Sequence, residues 1–110
     1  MPCCHSENGK IAQWTTPSIL YKPSQVEMAD VAEIVVVVSQ MGNPVITLTG
    51  DEANTTEEGF LWMLTQEQTS LLALSMTATV QVDYKTNEGR RYTTMPKTFE
   101  VLGSAFGEEI

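Results

Sequence analysis

The chain has 110 residues, 42% hydrophobic and 18% charged, and its 14 acidic against 6 basic side chains give a formal net charge of −8. That length suits one domain with one core, and the composition is that of a soluble globular protein rather than a disordered one. The charge argues against nucleic acid, because phosphate backbones attract Lys and Arg and the only basic pair is Arg90–Arg91.

Residues 1–16 are polar, contain Gly9, and read as a flexible leader. The opening MPCCHSENGK lacks the basic start and apolar centre of a secretory signal. The expectation is a protein of the cytoplasm, or one carried to its destination inside a larger assembly. Cys3 and Cys4 are neighbours, and a bridge between them would strain the peptide that joins them. No disulfide framework follows, which fits a reducing compartment. Cys3, Cys4 and His5 could contribute to a metal site, but a structural zinc wants four ligands and the chain has no further Cys or His. No metal or cofactor is expected.

Ser18–Lys22, SILYK, lies between Pro17 and Pro23 and predicts an edge strand, since proline cannot donate to a ladder. Ser24–Val31 predicts a loop or one helical turn. Glu33–Gln40, EIVVVVSQ, is the longest β-branched run and predicts the central strand. Ile34, Val36 and Val38 share one face and Val35 and Val37 the other, so both faces are apolar. Gly42–Asn43 marks a tight hairpin turn, and Pro44–Thr49 returns antiparallel with Ile46 and Leu48 on one side and Thr47 and Thr49 on the other.

The acidic stretch 50–59 holds Asp51, Glu52, Glu57 and Glu58 but lacks the alternating ligands of a dedicated calcium loop. It predicts a solvated connection with a short strand near Thr55 and Thr56. Phe60–Leu64, FLWML, is a second run apolar on both faces, with Phe60, Trp62 and Leu64 against Leu61 and Met63. It and Ile34–Val38 are the longest apolar runs, far below the ~20 residues that span a bilayer. Thr65 with Gln68 three residues on forms a capping box for a short helical turn through Ser70, after which Leu71 and Leu72 tuck against the core. Thr77–Tyr84 alternates cleanly, with Ala78, Val80, Val82 and Tyr84 inward. Asn87-Glu88-Gly89 closes a hairpin with glycine at the left-handed position. Arg90–Leu102 returns as a long strand broken at Pro96, with Phe99 and Val101 inward, and 103–110 form a tail.

Six to eight short strands at this spacing predict an all-β fold, an immunoglobulin-like antiparallel β-sandwich over residues 17–102. In that arrangement the second and fifth strands lie side by side in one sheet. Taking the second as Ile34–Val38, its neighbour is the doubly apolar Phe60–Leu64, and Val35, Val37, Leu61 and Met63 then share one outer face. Monomers seldom leave such a patch bare, so these four residues are the candidate protein interface. The competing reading has the N-terminal segment, through Trp14, folding over it.

LTQEQT at Leu64–Thr69, VQVDY at Val80–Tyr84, the hairpin VVVSQMGNPV and TFEV at Thr98–Val101 occur in that order. In this the chain resembles a family of small proteins encoded by phages and prophages of gut-dwelling Gram-positive bacteria, similar to the N-terminal immunoglobulin-like domain of phage baseplate upper proteins. Typical members carry Gln-x-Gly after a strand, then LTQEET, a V-x-V-Q-V-R strand, an Asp-Gly hairpin and a closing strand. Here these are Gln40-Met41-Gly42, LTQEQT, VQVDY with Asp83 in place of the basic residue, and the longer hairpin Asn87-Glu88-Gly89. The resemblance covers Thr15–Ile110 and carries over no catalytic residue.

What it implies is a structural or adaptor protein of a tail or baseplate, found in the virion or in the host cytoplasm before assembly, with a homo-oligomer or other tail proteins as partners. The alternative is a small carbohydrate-binding sandwich, for which Trp14, Tyr21 and Tyr92 are the candidate aromatics. An enzyme is not expected. Acid–base work needs paired titratable groups in a cleft, and Asp51 with Glu57 or Glu58 is the best pair the chain offers.

Overall fold

A computed structural model of the protein describes residues 9–110. Its centre is the β-branched run. Strand β3 (Val31–Gln40) buries Ile34, Val36, Val38 and Gln40 on one face, and it pairs antiparallel on both sides, with β4 (Asn43–Thr49) and β7 (Thr77–Thr86). The other strands are β1 (Lys10–Ala12), β2 (Ser18–Tyr21), β5 (Asn54–Thr56), β6 (Gly59–Met63), β8 (Arg91–Thr93) and β9 (Lys97–Leu102), with one short helix, α1 (Gln66–Ser70).

The larger sheet runs β1-β9-β7-β3-β4, with β8 also on β7, and the smaller runs β2-β6-β5. This is an all-β sandwich. Its layers follow the immunoglobulin-like order, in which strands B, E and D face C′, C, F and G. The inward residues of both sheets form one core, with Trp62, Val36, Val38, Val80 and Val82 fully enclosed. The Trp62 indole N–H donates to the Thr49 carbonyl at 2.8 Å, tying the smaller sheet to the end of β4. A buried indole without that acceptor would carry an unpaired donor.

Local chemistry explains most boundaries. Thr65 caps α1 by accepting from the Gln68 amide, and the Gln68 side chain accepts from the Thr65 amide, so the expected capping box is present. Gly89, at φ +88°, closes the β7–β8 hairpin. Pro96 lies between β8 and β9, and both pair with β7. Gly59 admits no substitute. Its φ is +132°, and a Cβ there would stand 2.4 Å from the Tyr21 carbonyl oxygen.

Five expectations are corrected. The stretch read as a leader contains β1, whose Ile11 is 4% exposed and enters the core. Because β1 pairs parallel with β9, the larger sheet is mixed rather than purely antiparallel. With β1 present and the Arg90–Leu102 segment split in two, nine strands lie among the described residues. The hairpin turn is centred on Met41–Gly42 rather than Gly42–Asn43: Gln40 pairs with Asn43, and both central residues have positive φ. Of the leucines after α1, Leu72 is buried as expected, whereas Leu71 is 61% exposed. Cys3, Cys4 and His5 lie outside the described residues.

Candidate interaction surface

The four residues proposed as one interface do not meet. Val35 and Val37 belong to the outer face of the larger sheet, and Leu61 and Met63 to the outer face of the smaller one. The whole sandwich separates them. The cause is the missed strand: with β1 counted, Ile34–Val38 is the third strand rather than the second, and so belongs to the opposite layer. Val35 sits in register between Thr49 and Asp83, and Val37 between Thr47 and Gln81. These polar neighbours half-bury both valines and leave that outer face wet. Leu61 pairs across β2 with Leu20 and Met63 with Ser18, which makes a narrower apolar strip.

The exposed apolar side chains collect elsewhere. Among the described residues the large ones that stand out are Met41, Met63, Leu71, Leu74, Met95, Leu102, Phe106 and Ile110. Strand direction places all but Met95 toward one end of the sandwich. Met41 tips the β3–β4 hairpin, and Leu71 and Leu74 lie in the loop from α1 to the start of β7. Leu102 ends β9, Met63 ends β6, and Phe106 and Ile110 follow Leu102. Leu74 lies close to Gly103, 3.8 Å from where a Cβ would stand, so the loop and the C-terminal segment adjoin.

Side-chain amides and one hydroxyl hold this end in shape. Gln40, on the inward parity of β3 and 6% exposed, accepts from the Ala73 amide at 2.8 Å and donates to the Ala73 carbonyl at 2.9 Å. The Gln13 side chain donates to the Leu72 carbonyl at 2.6 Å. Thr69, fully buried, donates to the Thr15 carbonyl at 2.8 Å and accepts from the Thr15 amide at 3.1 Å. Gln66 pairs in the same two-way fashion with the main chain of Ile110. The sequence carried a signal for Gln40, a polar residue at an inward strand position that must find a partner. Nothing local marked Gln13 or Thr69, whose partners lie 59 and 54 residues away.

The opposite end is charged. The Asp30–Val31 junction, the β4–β5 and β5–β6 turns and the β7–β8 hairpin gather Glu27, Asp30, Glu33, Asp51, Glu52, Glu57, Glu58 and Glu88, with Lys22, Lys85, Arg90 and Arg91 among them. An open groove of about 660 Å³ lies here, bordered by Glu33, Asp51, Asp83, Lys85 and Arg91 over Ile34 and Phe60. Arg91 pairs with Asp83 at 3.1 Å, and the Thr93 hydroxyl also donates to Asp83. Asp51, Glu57 and Glu58, the best carboxylates for acid–base work, are all exposed on turns. Among the described residues no three His, Cys, Asp or Glu side chains come together as metal ligands. Of the aromatics considered for sugar stacking, Tyr21 is buried, and Trp14 and Tyr92 are half-buried.

No protein-family model, characterised protein or solved structure matches the chain. Among the described residues no helix is long and apolar enough to cross a membrane.

Proposed function

We propose that the protein is a non-enzymatic structural or adaptor component of a phage or prophage tail or baseplate, working through protein–protein contact. The observation that carries this reading is the gathering of Met41, Leu71, Leu74, Leu102 and Phe106 at one end of the sandwich, where α1 and the loop after it are tied to the β1–β2 crossing and to β3 by part-buried hydrogen bonds. Exposed apolar side chains held rigidly in one place suit a docking surface, because ordering them costs little further entropy on binding. The resemblance of LTQEQT, VQVDY and the β3–β4 hairpin to small phage and prophage proteins supplies the setting.

Quantitative mass spectrometry of purified particles tests this directly. The chain is expected at a fixed stoichiometry to tail proteins, retained through gradient purification. Its absence from particles, or selective binding on a glycan array, would overturn the proposal in favour of a carbohydrate-binding module.

A further inference from the structure

Resting on that reading, we infer that the apolar end is a self-association surface, on which a second copy of this chain docks end to end about a twofold axis. The argument is one of charge placement. With a formal charge of −8, two copies repel wherever their acidic surfaces approach. The acidic turns at Asp30, Asp51–Glu52 and Glu57–Glu58 lie at the far end of a molecule 45 Å long. Joining two apolar ends leaves those turns roughly 90 Å apart, many times the ~8 Å over which physiological salt screens charge. A head-to-tail stack would instead press the acidic turns onto leucine and methionine, stripping water from carboxylates that far outnumber the lysines at that end. A side-by-side contact would use either the wet outer face around Thr47, Gln81 and Asp83 or the narrow strip of Leu20 and Leu61, and would leave Leu71 and Leu74 uncovered. Of the three arrangements only the isologous, end-to-end one buries the apolar residues and keeps the acidic turns apart, and such a contact closes on itself.

Size permits it. The two shorter dimensions are 26 and 21 Å between Cα atoms. With side chains added, the end offers roughly 700 Å² per copy, close to the ~800 Å² per partner of a standard interface. Charges are present near it: Glu67, Glu100, Glu108 and Glu109 against Lys10. Their acidic excess weakens the contact at low salt, so association should tighten as salt rises.

Sedimentation and small-angle scattering on the full chain test the inference. The expected result is a concentration-dependent species of twice the 12.1 kDa chain mass, with a largest dimension near ~90 Å and tighter association at higher salt. Leu71→Glu with Leu74→Glu, at positions 61% and 49% exposed, should raise the dissociation constant at least roughly tenfold while circular dichroism stays unchanged. Met95→Glu, 85% exposed but away from that end, should change it less than about twofold. A strict monomer at several hundred micromolar, a compact side-by-side dimer, or a dimer broken by Met95→Glu and not by the leucine pair would each overturn the inference. A monomeric chain that still co-purifies with particles removes only the self-association, whereas absence from particles removes the functional reading.

Discussion

At the charged end the chain closes its turns with main-chain bonds and with side chains that mostly act within a few residues: the Thr49 amide donates to the Glu52 carboxylate, the Glu58 amide to the Thr56 hydroxyl and the Arg90 amide to the Thr86 hydroxyl. The Asn87 amide donates to the Asp30 carbonyl at 2.8 Å, and the Thr86 amide donates to the Arg90 carbonyl at 2.8 Å. At the apolar end main-chain bonds such as Gln13 to Leu102 are joined by side chains that reach across the fold: Gln40 on Ala73, Gln13 on Leu72, Thr69 on Thr15 and Gln66 on Ile110. Turn chemistry is local and tolerates change in the exposed residues around it. A side chain that reaches across the fold into a loop places that loop in one position, and losing it strands a main-chain donor and acceptor together. The acidic turns are thus tied mostly over a few residues, and the apolar loops mostly across the fold.

Substitutions can break or sharpen this contrast, and the largest effect belongs to an exception at the charged end. Gly59→Ala should destabilise by roughly 3–5 kcal/mol, because a positive φ and a clash with the Tyr21 carbonyl combine there. A denaturation midpoint within error of the parent would disprove that geometry. Next is Leu72→Ala, which opens a void under the apolar loop at 1% exposure and should cost about 3 kcal/mol. Thr69→Val keeps the shape but orphans the Thr15 amide and carbonyl, for about 2 kcal/mol. Hydrogen exchange should locate the loss in the crossing from β1 to β2 and in α1, and a loss confined to the charged end would refute the clamp.

Met41→Asn runs the other way. Met41 is 82% exposed at φ +51°, a conformation asparagine adopts more readily. The variant should gain about 0.5 kcal/mol in a thermal melt while losing affinity for whatever docks on that end. The smallest effect belongs to Arg91→Ala. Its pair with Asp83 is exposed, with 75% and 31% of the two side chains open to solvent, and removing it should cost under ~0.5 kcal/mol. A double-mutant cycle that returned several kcal/mol for this pair would mean the charged end is held by its ions and not by its turns.

Much of the fold was legible because its signals are local. The inward parity of β3, β4, β6 and β7, the capping box at Thr65, the break at Pro96 and the glycine at 89 each follow from residues within a few positions of one another. The short strand at Asn54–Thr56 was legible from Thr55 and Thr56. The layer that each strand joins was not, and one element explains why. A three-residue strand with one buried side chain, Ile11, shows no periodicity to detect, yet its presence shifts every later strand to a different place in the sandwich. Val35 and Leu61 consequently changed from neighbours to residues on opposite outer faces. Leu71, Leu74 and Met41 stood in plain view as apolar residues in turns, but only strand direction brings them to one end.

By itself the sequence determined which residues face inward along each long strand and where the major turns fall, since alternation and turn chemistry act over a few residues. The tertiary structure alone decided which strands share a layer, which polar side chains clamp distant loops, and that the exposed apolar groups gather opposite the acidic turns. Those outcomes depend on pairings between segments tens of residues apart, whose register is fixed by the closing of the common core.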